Sequence, residues 1–576
     1  MKSLLKYFKG YRKECIIGPL FKLLEAGFEL IIPLVVKQMI DKGIAAGDVF
    51  YVLKMAGIMI MLGIIGLICS LTAQYFCARA AVYFAEGVKH DMFERVMKLS
   101  YQDTDGIGVS ALITRLTSDI NALQGGVNMS LRLLLRSPFV VFGAVVTAFT
   151  IDVKAACIFT VTVVILTIIV AAVMFITGPG YRAVQERLDK VLLSVRSSLN
   201  GVRVIRAFGN EEREFEAFKK ENDELNRLQI FTGRISALLN PFTFIVINLG
   251  TAWLIWDGAL AVDTGRLSRG AVVALVNLMG QILVELIKLA NLIVQLSRAL
   301  ACANRIEDLL KKEPSMKEGK TGLKIKGKAP EVIFEDVCMS YAGAGENALE
   351  GVSFKADPGS TTGIIGGTGS GKSTMVNLIP RFYDVSSGCV KVDGIDVREL
   401  KFADLREAVA VVPQKSVLFE GTIKDNMRLG KEDASDEEII SALKTAQAYD
   451  FVMEKEGGLE APVTQGGDNF SGGQRQRLCI ARALVKKPEI LIMDDSASAL
   501  DYATDAALRK AIGEMKDAPT VFIVSQRAAS VMHADRIIVL DEGHIAASGT
   551  HDELLKSCDI YREIYVSQFG RPEGSD

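Results

Sequence analysis

The sequence lacks the features of zinc-binding, disulfide-bonded and nucleic-acid-binding proteins. Its nine cysteines are scattered without a C-x-x-C pair, and only four histidines accompany them. Neither a zinc site nor a disulfide framework is therefore expected, and free thiols facing a reducing compartment are the simpler interpretation. The net charge of −2 gives no reason to expect nucleic acid as a partner.

The N-terminal residues MKSLLKYFKGYRKE lack the continuous apolar core of a cleaved signal peptide, because Lys6 and Lys9 interrupt it. The segment is basic and amphipathic, and this favours a helix lying along the inner face of a membrane.

Long hydrophobic runs are missing from the second half of the chain but dominate the first half. Hydrophobic residues make up 49% of the sequence, and charged residues still make up 23%, too many for a fully membrane-embedded protein. A bilayer core needs about 20 apolar residues per helix. The sequence therefore predicts six membrane-spanning helices, near residues 15–40, 52–77, 131–151, 154–177, 237–262 and 270–299.

Basic residues predict the orientation of these spans. Two long charged segments, about 78–130 and 180–235, separate spans, whereas the other connections are short. Lysine and arginine in loops mark the cytoplasmic side of a membrane. The N-terminus and both long segments are therefore expected in the cytoplasm, and six spans return the chain there.

Each long segment reads as a helical extension with one break, at 101–116 and at 197–215. Two interpretations remain open at this point. The break holds either a short transverse helix at the tip of a hairpin or an ordinary helix-loop-helix turn with a solvated charged face.

Several polar residues lie inside the predicted spans, among them Glu25 and Glu29 in the first span and Glu285, Lys288 and Asn291 in the sixth. Charges at membrane depth usually face a bundle interior or a watery cavity. Glu285 and Lys288 are three residues apart, so they can pair on one helix face. A substrate pathway and a purely structural pair or interfacial anchor are both compatible with this pattern.

The character of the chain changes after the last span. Residues 311–331 are polar and rich in lysine and glycine, as in a linker, and short strands alternating with helices follow. GIIGGTGSGKST, 363–374, fits the G-x-x-x-x-G-K-S pattern between a strand and a helix. In such loops, backbone N–H groups and the helix N-terminus surround phosphates. Lys372 is expected to reach the terminal phosphates and Ser373 to bind Mg²⁺.

Two further motifs follow the phosphate loop in a specific order. NFSGGQRQRLCIARAL, 469–484, places a serine and two glycines before a helix, which again offers N–H groups to an anion. ILIMDD, 490–495, reads as a buried strand that ends in Asp494, and a carboxylate beside a phosphate loop suits the Mg²⁺ shell.

With these motifs in this order, the chain resembles a half-transporter of the ATP-binding-cassette (ABC) exporter family over essentially its whole length. The resemblance implies a membrane all-α six-helix transmembrane domain (1–305), a linker (306–330) and an α/β P-loop nucleotide-binding domain (331–576). It also implies ATP and Mg²⁺ as ligands. The expected location is the inner (plasma) membrane, with the nucleotide-binding domain in the cytoplasm.

The resemblance assigns roles to individual residues. Tyr341 matches the aromatic residue that stacks on adenine, and Asp501 ends the D-loop motif SALD, 498–501. The Walker A loop corresponds to Gly366, Gly367, Thr368, Gly369, Ser370, Gly371, Lys372, Ser373 and Thr374. The signature motif corresponds to Phe470, Ser471, Gly472, Gly473 and Gln474, with phenylalanine in the usual leucine position. The implied Mg²⁺ ligands are Ser373, the Q-loop residue Gln414 and the Walker B residue Asp494, and the implied catalytic set is Asp495, Gln526 and Gln414.

Two of these positions depart from the family pattern. Asp495 stands where the family has its catalytic glutamate, and Gln526 stands where it has the switch histidine. The shorter carboxylate moves the base by about one methylene, and displacements near 1 Å can cost ~100-fold in rate. Gln526 cannot carry a proton, although it can hydrogen-bond a phosphate. Each change alone is compatible with tolerated drift, but together they indicate a site that binds ATP and hydrolyses it slowly.

The family's geometry implies a partner. Two cassettes close head to tail, so each ATP lies between the Walker motifs of one chain and the signature of the other. A homodimer of this chain would have two weak sites. A heterodimer with a second ABC half-transporter, which has the intact glutamate and histidine, is therefore expected, with membrane lipid around it. The cargo is left open among drugs, lipids and peptides. A lipid flippase, an importer on the same scaffold and a membrane ATP sensor that moves nothing are the alternatives.

Overall fold

The chain divides into two compact units in the computed structural model, which describes residues 3–325, 327–341, 343–496, 499–515 and 518–570. The first unit contains the chain up to Met97 together with Ser110–Lys312. The second unit contains the chain from Glu313 onward together with the short segment Lys98–Val109. The tip of the first long charged segment therefore belongs to the same unit as the predicted nucleotide-binding motifs.

Helices make up nearly all of the described chain before residue 312. They are α1 (Arg12–Gln38), α2 (Val49–Lys98), α3 (Tyr101–Ile107), α4 (Val109–Thr114), α5 (Ile120–Leu133), α6 (Arg136–Ile151), α7 (Val153–Asn200), α8 (Val202–Ala207), α9 (Glu211–Ala237), α10 (Leu239–Asp263) and α11 (Arg269–Lys311). Helix α11 extends to Lys311, six residues past the domain boundary expected at 305.

Among the described residues, five helical stretches are long and apolar enough to cross a membrane: Val49–Lys98, Val109–Ile151, Val153–Asn200, Glu211–Asp263 and Arg269–Lys311. They cover the last five of the six predicted spans. The first predicted span lies in α1, whose 27 residues are about 40 Å long. Helix α1 lacks a comparable apolar stretch because Lys22, Glu25 and Glu29 interrupt it.

Burial separates a central helix from a peripheral one. In the most apolar stretch of α11, 56% of the residues are buried, whereas the corresponding value for α2 is 11%. Large apolar side chains such as Ile60, Ile64 and Leu67 are exposed on α2. Exposed apolar side chains along a membrane-length helix suit contact with lipid, in which they need no protein partner.

A buried arginine holds the charged residues of three membrane helices together. The Arg136 guanidinium on α6 donates to Glu285 of α11 at 2.5 Å and to Glu29 of α1 at 2.6 Å. Lys288 donates to Glu285 at 2.8 Å, as the spacing of those two residues predicts. Arg136 and Glu285 are only 5% and 3% exposed, so each charge depends on the other for compensation. The network explains how α1 accommodates a carboxylate at this depth.

Short helices occupy both breaks in the long charged segments. Ser100 caps α3 by accepting a hydrogen bond from the Asp103 amide at 3.1 Å, and Gly108 ends α3 with a left-handed φ of 83°. Helix α8 follows Gly201, and none of its residues is buried. The interpretation with a short helix at each tip is therefore the one that the structure supports.

The second unit is an α/β domain. Its strands are β1 (Val332–Met339), β2 (Leu349–Ala356), β3 (Thr361–Gly366), β4 (Ser387–Val392), β5 (Ile395–Asp396), β6 (Val409–Val412), β7 (Gly421–Thr422), β8 (Pro462–Val463), β9 (Ile490–Asp494), β10 (Thr520–Val524), β11 (Arg536–Asp541) and β12 (His544–Gly549). Its helices are α12 (Lys372–Leu378), α13 (Phe402–Ala408), α14 (Ile423–Arg428), α15 (Asp436–Thr445), α16 (Tyr449–Met453), α17 (Gly472–Val485), α18 (Tyr502–Gly513), α19 (Ala528–Val531), α20 (His551–Ser557) and α21 (Asp559–Phe569).

A six-stranded sheet in the order β12-β11-β3-β10-β9-β6 positions the nucleotide motifs. All of its neighbouring pairs are parallel except β11 with β12. Alternate residues of β9 enter two separate cores, with Leu491 and Met493 in one and Ile490 and Ile492 in the other. A sheet buried on both faces needs continuous apolar strands, and this explains why residues 490–493, ILIM, are all apolar. A second, antiparallel sheet has the order β2-β1-β4-β5.

Candidate functional site

The phosphate loop leaves the carboxyl end of β3 and enters α12 at Lys372. Gly371 has a left-handed φ of 92°, and a Cβ there would lie 2.6 Å from the Ala348 carbonyl oxygen. A Cβ on Gly366 would lie 2.1 Å from the carbonyl oxygen of Leu540. Only glycine fits these two positions, so the loop conformation follows from the sequence pattern.

The Lys372 ammonium lies inside this loop. It donates to the carbonyl oxygens of Gly366 at 3.0 Å and Gly367 at 2.5 Å, and to the Ser370 hydroxyl at 3.3 Å. Burial lowers the pKa of Lys372, and the carboxylates of Asp495 and Asp494 oppose that shift. The ammonium is thus held inside the loop, where a bound phosphate would compete with the loop carbonyls for its hydrogen bonds.

Asp494 ends β9 and lies beside the first turn of α12. The Ser373 hydroxyl donates to the Asp494 carboxylate at 3.0 Å. Asp494 is 7% exposed, and burial is the main reason why its pKa is raised above the ordinary value. The structure therefore brings together Ser373 and Asp494, two of the three residues that the sequence predicts as metal ligands.

Asp495 has a left-handed backbone, with φ at 47°. The Asp495 amide donates to the Val524 carbonyl at 2.9 Å, and the Gln476 side chain donates to the backbone carbonyl of Asp495 at 3.2 Å. The Gln414 side-chain amide lies 3.5 Å from the Asp495 carboxylate. Short polar residues such as aspartate tolerate left-handed backbone better than most others. These contacts bring together Asp495 and Gln414, two of the three residues of the predicted catalytic set.

Gln526, the third residue of that set, follows β10 and has an exposed side chain. Its carbonyl accepts a hydrogen bond from Gln568 at 2.8 Å. Val524 pairs with Asp494 across β10 and β9, so Asp495 and Gln526 both follow neighbouring strand ends. The carboxyl edge of a parallel sheet is where α/β proteins bind ligands.

Tyr341 lies next to the phosphate loop. Its hydroxyl and the Thr374 hydroxyl are 3.0 Å apart, and its ring packs partly buried against the core. Thr374 and Ser370 are buried, whereas Gly367, Thr368 and Gly369 are exposed at the outer side of the loop. The predicted base contact and the predicted phosphate contacts are therefore adjacent.

The signature turn is an exposed helix start. Ser471 caps α17, and Ser471 and Gln474 form a reciprocal capping box at 3.1 and 3.3 Å. Phe470 is buried, with the Lys455 ammonium 4.5 Å from its ring centroid. Gly472 is exposed, and a Cβ on Gly473 would lie 2.9 Å from the Ala499 carbonyl oxygen. The turn thus presents backbone N–H groups at the surface.

Asp501 caps α18, because both of its carboxylate oxygens accept hydrogen bonds from Thr504, at 2.8 and 3.0 Å. The first residue of the predicted D-loop motif, Ser498, lies outside the described residues.

Gln476 is a site residue that the sequence motifs do not identify. It is 3% exposed, donates to the Asp495 carbonyl at 3.2 Å and accepts from the Ala499 amide at 3.1 Å. It therefore joins the signature helix to the segment after β9. Its signal in the sequence is a polar residue four positions before Ile480, on the apolar face of α17.

Comparisons with known proteins agree with this architecture. The profile of the ABC transporter transmembrane region matches residues 15–286, and the ABC transporter profile matches residues 349–498. An uncharacterized ABC transporter ATP-binding protein of Mycobacterium tuberculosis is 35% identical, over 98% of this chain and 97% of its own. The uncharacterized ABC transporter ATP-binding protein YfiB of Bacillus subtilis is 34% identical, over 100% of both chains. A solved structure of a bacterial Atm1-family ABC exporter with ATP bound shares the fold, with a TM-score of 0.81 and 23% identity over 98% of this chain and 99% of that one.

The chain belongs to the ABC transporter family. It is a multi-pass membrane half-transporter of the exporter type, with a helical membrane domain fused to an α/β ATP-binding cassette, and the predicted fold class is confirmed. ATP hydrolysis coupled to transport is the activity of this class.

Gln476 generates the first prediction. Replacing Gln476 with alanine removes its hydrogen bonds to the Asp495 carbonyl and from the Ala499 amide, and a typical hydrogen bond contributes about 0.5–1.5 kcal/mol. We expect the opening free energy of the β9 amides, measured by hydrogen exchange on the full-length protein, to fall by that amount. Gln465→Ala, at an exposed glutamine of the same cassette, is the matched control and leaves β9 unchanged. Equal values for the two variants would show that Gln476 does not stabilise the strand end.

Proposed function

We propose that this chain is one subunit of an ATP-driven exporter, in which its own Walker site binds Mg·ATP and hydrolyses it slowly. A second, different half-transporter supplies the fast site. The observation that carries the proposal is the combination of a complete phosphate loop with Asp495 and Gln526 at the two positions that activate water and sense phosphate in the family.

The donor set suits Mg²⁺. The Ser373 hydroxyl and the Asp494 carboxylate lie together at the edge of the sheet, and both are hard oxygen ligands of the kind that Mg²⁺ prefers beside nucleotide phosphates. The Gln414 side chain is near enough to Asp495 to join the same site. Bound Mg²⁺ would offset the negative charge of the β- and γ-phosphates. It would also favour the ionised form of Asp494, whose burial otherwise opposes ionisation.

Slow hydrolysis follows from the side chains at positions 495 and 526. The left-handed backbone at Asp495 and its hydrogen bond to Val524 fix the position of the Asp495 Cα at the edge of β9 and β10. A shift of the strand therefore cannot compensate for a side chain that is one methylene shorter than glutamate. A base displaced by about 1 Å can cost 100-fold in rate. Gln526 offers a hydrogen bond but no proton exchange. Binding affinity rests on Lys372 and the loop amides, which neither change affects.

The intact signature supports a partner of a different kind. Ser471, Gly472 and the helix start behind them are exposed, as an ATP site shared between two chains requires. A second copy of this chain would supply the same slow base at both sites. A partner with a faster base would form a hydrolytic site together with the signature of this chain. Hydrolysis at that one site would then be enough to reopen the two cassettes in each cycle.

We propose that the protein lies in the inner (plasma) membrane, with the N-terminus and the cassette in the cytoplasm, where ATP is available. The lysines and arginines of the N-terminus and of the two long segments support this orientation. Cassette closure would reach the membrane helices through the short helix α3, which belongs to the same unit as the cassette and follows α2 in the chain. An amphipathic cargo of the drug, lipid or peptide class fits an apolar helical bundle.

Two substitutions would restore the residues that the family has at positions 495 and 526. Asp495→Glu combined with Gln526→His should raise single-turnover ATP hydrolysis at this chain's site by up to about 100-fold, because the base and the proton-exchanging group return to their family positions. The measurement uses the complex copurified from its native membranes, with the partner's site inactivated. Asp468→Glu, the same change at an exposed position, is the control. Failure of the double variant to gain activity would contradict the slow-site proposal. Loss of all ATPase activity on introducing Asp495→Ala alone, in a complex whose partner site is intact, would also contradict it.

A further prediction concerns the two halves of the cassette. Gly472→Asp puts a charged side chain on the exposed signature turn and should lower ATPase and transport by the complex by about 10²–10³, the range typical for lost preorganised donors. Lys372→Ala alters only the slow site, so measurable turnover should remain. Both variants are compared at equal assembly with the partner. Equal losses would indicate two equivalent sites, and full activity of Gly472→Asp would remove the basis for a shared site.

A further inference from the structure

Tyr383 lies between the predicted adenine contact and the cytoplasmic helix α3. We propose that Tyr383 is a positioning residue that makes the docking of α3 on the cassette depend on the base of the bound nucleotide, and not on its phosphates alone. The proposal rests on the proposed function in one respect, which is that this site binds ATP.

The first contact in this path joins Tyr383 to Tyr341. Their ring centroids are 5.3 Å apart and the rings are nearly perpendicular, at 85°. Edge-to-face pairs of this kind have a preferred geometry, so a change in the orientation of one ring disturbs the other. Both rings pack partly buried against the same core, which limits their freedom to move independently.

The second contact fixes Tyr341 to the phosphate loop. Its hydroxyl is 3.0 Å from the hydroxyl of Thr374, two residues after Lys372. A base that stacks on Tyr341 therefore acts on a ring that is already tied to the first turn of α12. Phosphates alone reach the ring of Tyr341 only indirectly, through the Thr374 hydroxyl, whereas a stacked base would contact the ring itself.

The third contact joins Tyr383 to α3. The Tyr383 hydroxyl donates to the Asp105 carboxylate at 2.9 Å. The Tyr101 ring lies 4.6 Å from Phe382 and 6.2 Å from Tyr383, so the neighbouring turn of α3 is held by aromatic packing. Hydrogen bonds to a charged acceptor are stronger than those between neutral groups. Burial and the Asp105 carboxylate raise the pKa of Tyr383, so the phenol keeps its proton and remains a donor.

Helix α3 has a second attachment, which does not involve the nucleotide side. The Ser100 and Ser315 hydroxyls are 2.7 Å apart, and the Ser315 amide donates to Asp103 at 2.9 Å. The start of α3 is therefore held by the segment that follows α11 and by the packing of Tyr101, and its next turn is held by the hydrogen bond from Tyr383 to Asp105. The contacts at the start of α3 let that hydrogen bond break without releasing the helix. Energetic coupling between sites travels through contiguous contacts that have two arrangements.

The test measures hydrogen exchange of the amides of residues 100–108 in the purified complex. Mg·AMP-PNP is compared with inorganic tripolyphosphate, at concentrations that protect residues 366–374 equally. We expect AMP-PNP to slow exchange in α3 about fivefold or more relative to tripolyphosphate. Tyr383→Phe keeps the ring but removes the donor, and should erase this difference while residues 366–374 stay protected. Asp105→Ala should do the same, and the double variant should show no additional effect. Tyr449→Phe, at a partly buried tyrosine of the same cassette, is the matched control and should leave the difference intact.

The possible failures can be told apart. If the phosphate loop is protected but α3 responds equally to both ligands, or if Tyr383→Phe retains the difference, the role assigned to Tyr383 is wrong while the proposed function stands. Additive losses in the double variant would show that Tyr383 and Asp105 act separately and would also overturn it. If AMP-PNP fails to protect residues 366–374, the site does not bind nucleotide, and the proposed function falls together with the inference.

Discussion

The hydrogen bond from the Asp495 amide to the Val524 carbonyl is the constraint on which the candidate site depends. It extends the pairing of β9 with β10 by one residue beyond the last strand pair, Asp494 with Val524. The strand therefore ends with Asp494 beside Ser373, and the chain turns at Asp495 with a left-handed backbone. Once this edge is fixed, the length of the side chain at position 495 decides how far its carboxylate can reach.

The same edge connects the site to the rest of the cassette. Gln476 joins the Asp495 carbonyl to α17, so the exposed turn at Ser471 and Gly472 is tied to the strand end of β9. A chain of contacts also connects the phosphate loop to α3: Thr374 contacts Tyr341, Tyr341 packs against Tyr383, and Tyr383 donates to Asp105. A subunit that binds ATP without turning it over quickly can still transmit occupancy along such contacts, because transmission requires differential binding and not hydrolysis.

Local features can be predicted from the sequence, whereas contacts between residues that are distant in the sequence cannot. The phosphate loop has its own signature because glycine alone fits Gly366 and Gly371, and β9 is readable because both faces of a parallel strand are apolar. The two tips contain short helices, which the glycines and the Ser100 cap permit but do not require. Arg136 illustrates the limit: the sequence shows Glu285 and Lys288 one turn apart, but the arginine that compensates both Glu285 and Glu29 comes from another helix. Gln476 and Tyr383 escape prediction for the same reason, since their roles depend on what the fold places beside them.

The central claim is that this chain holds ATP without hydrolysing it at the rate of the complex. The most direct measurement follows labelled ATP bound at this chain's Walker site while the copurified complex turns over unlabelled ATP in excess. The account predicts that the label stays as ATP, with its γ-phosphate intact, through many turnovers. Release of labelled phosphate from this site at the overall ATPase rate would contradict it.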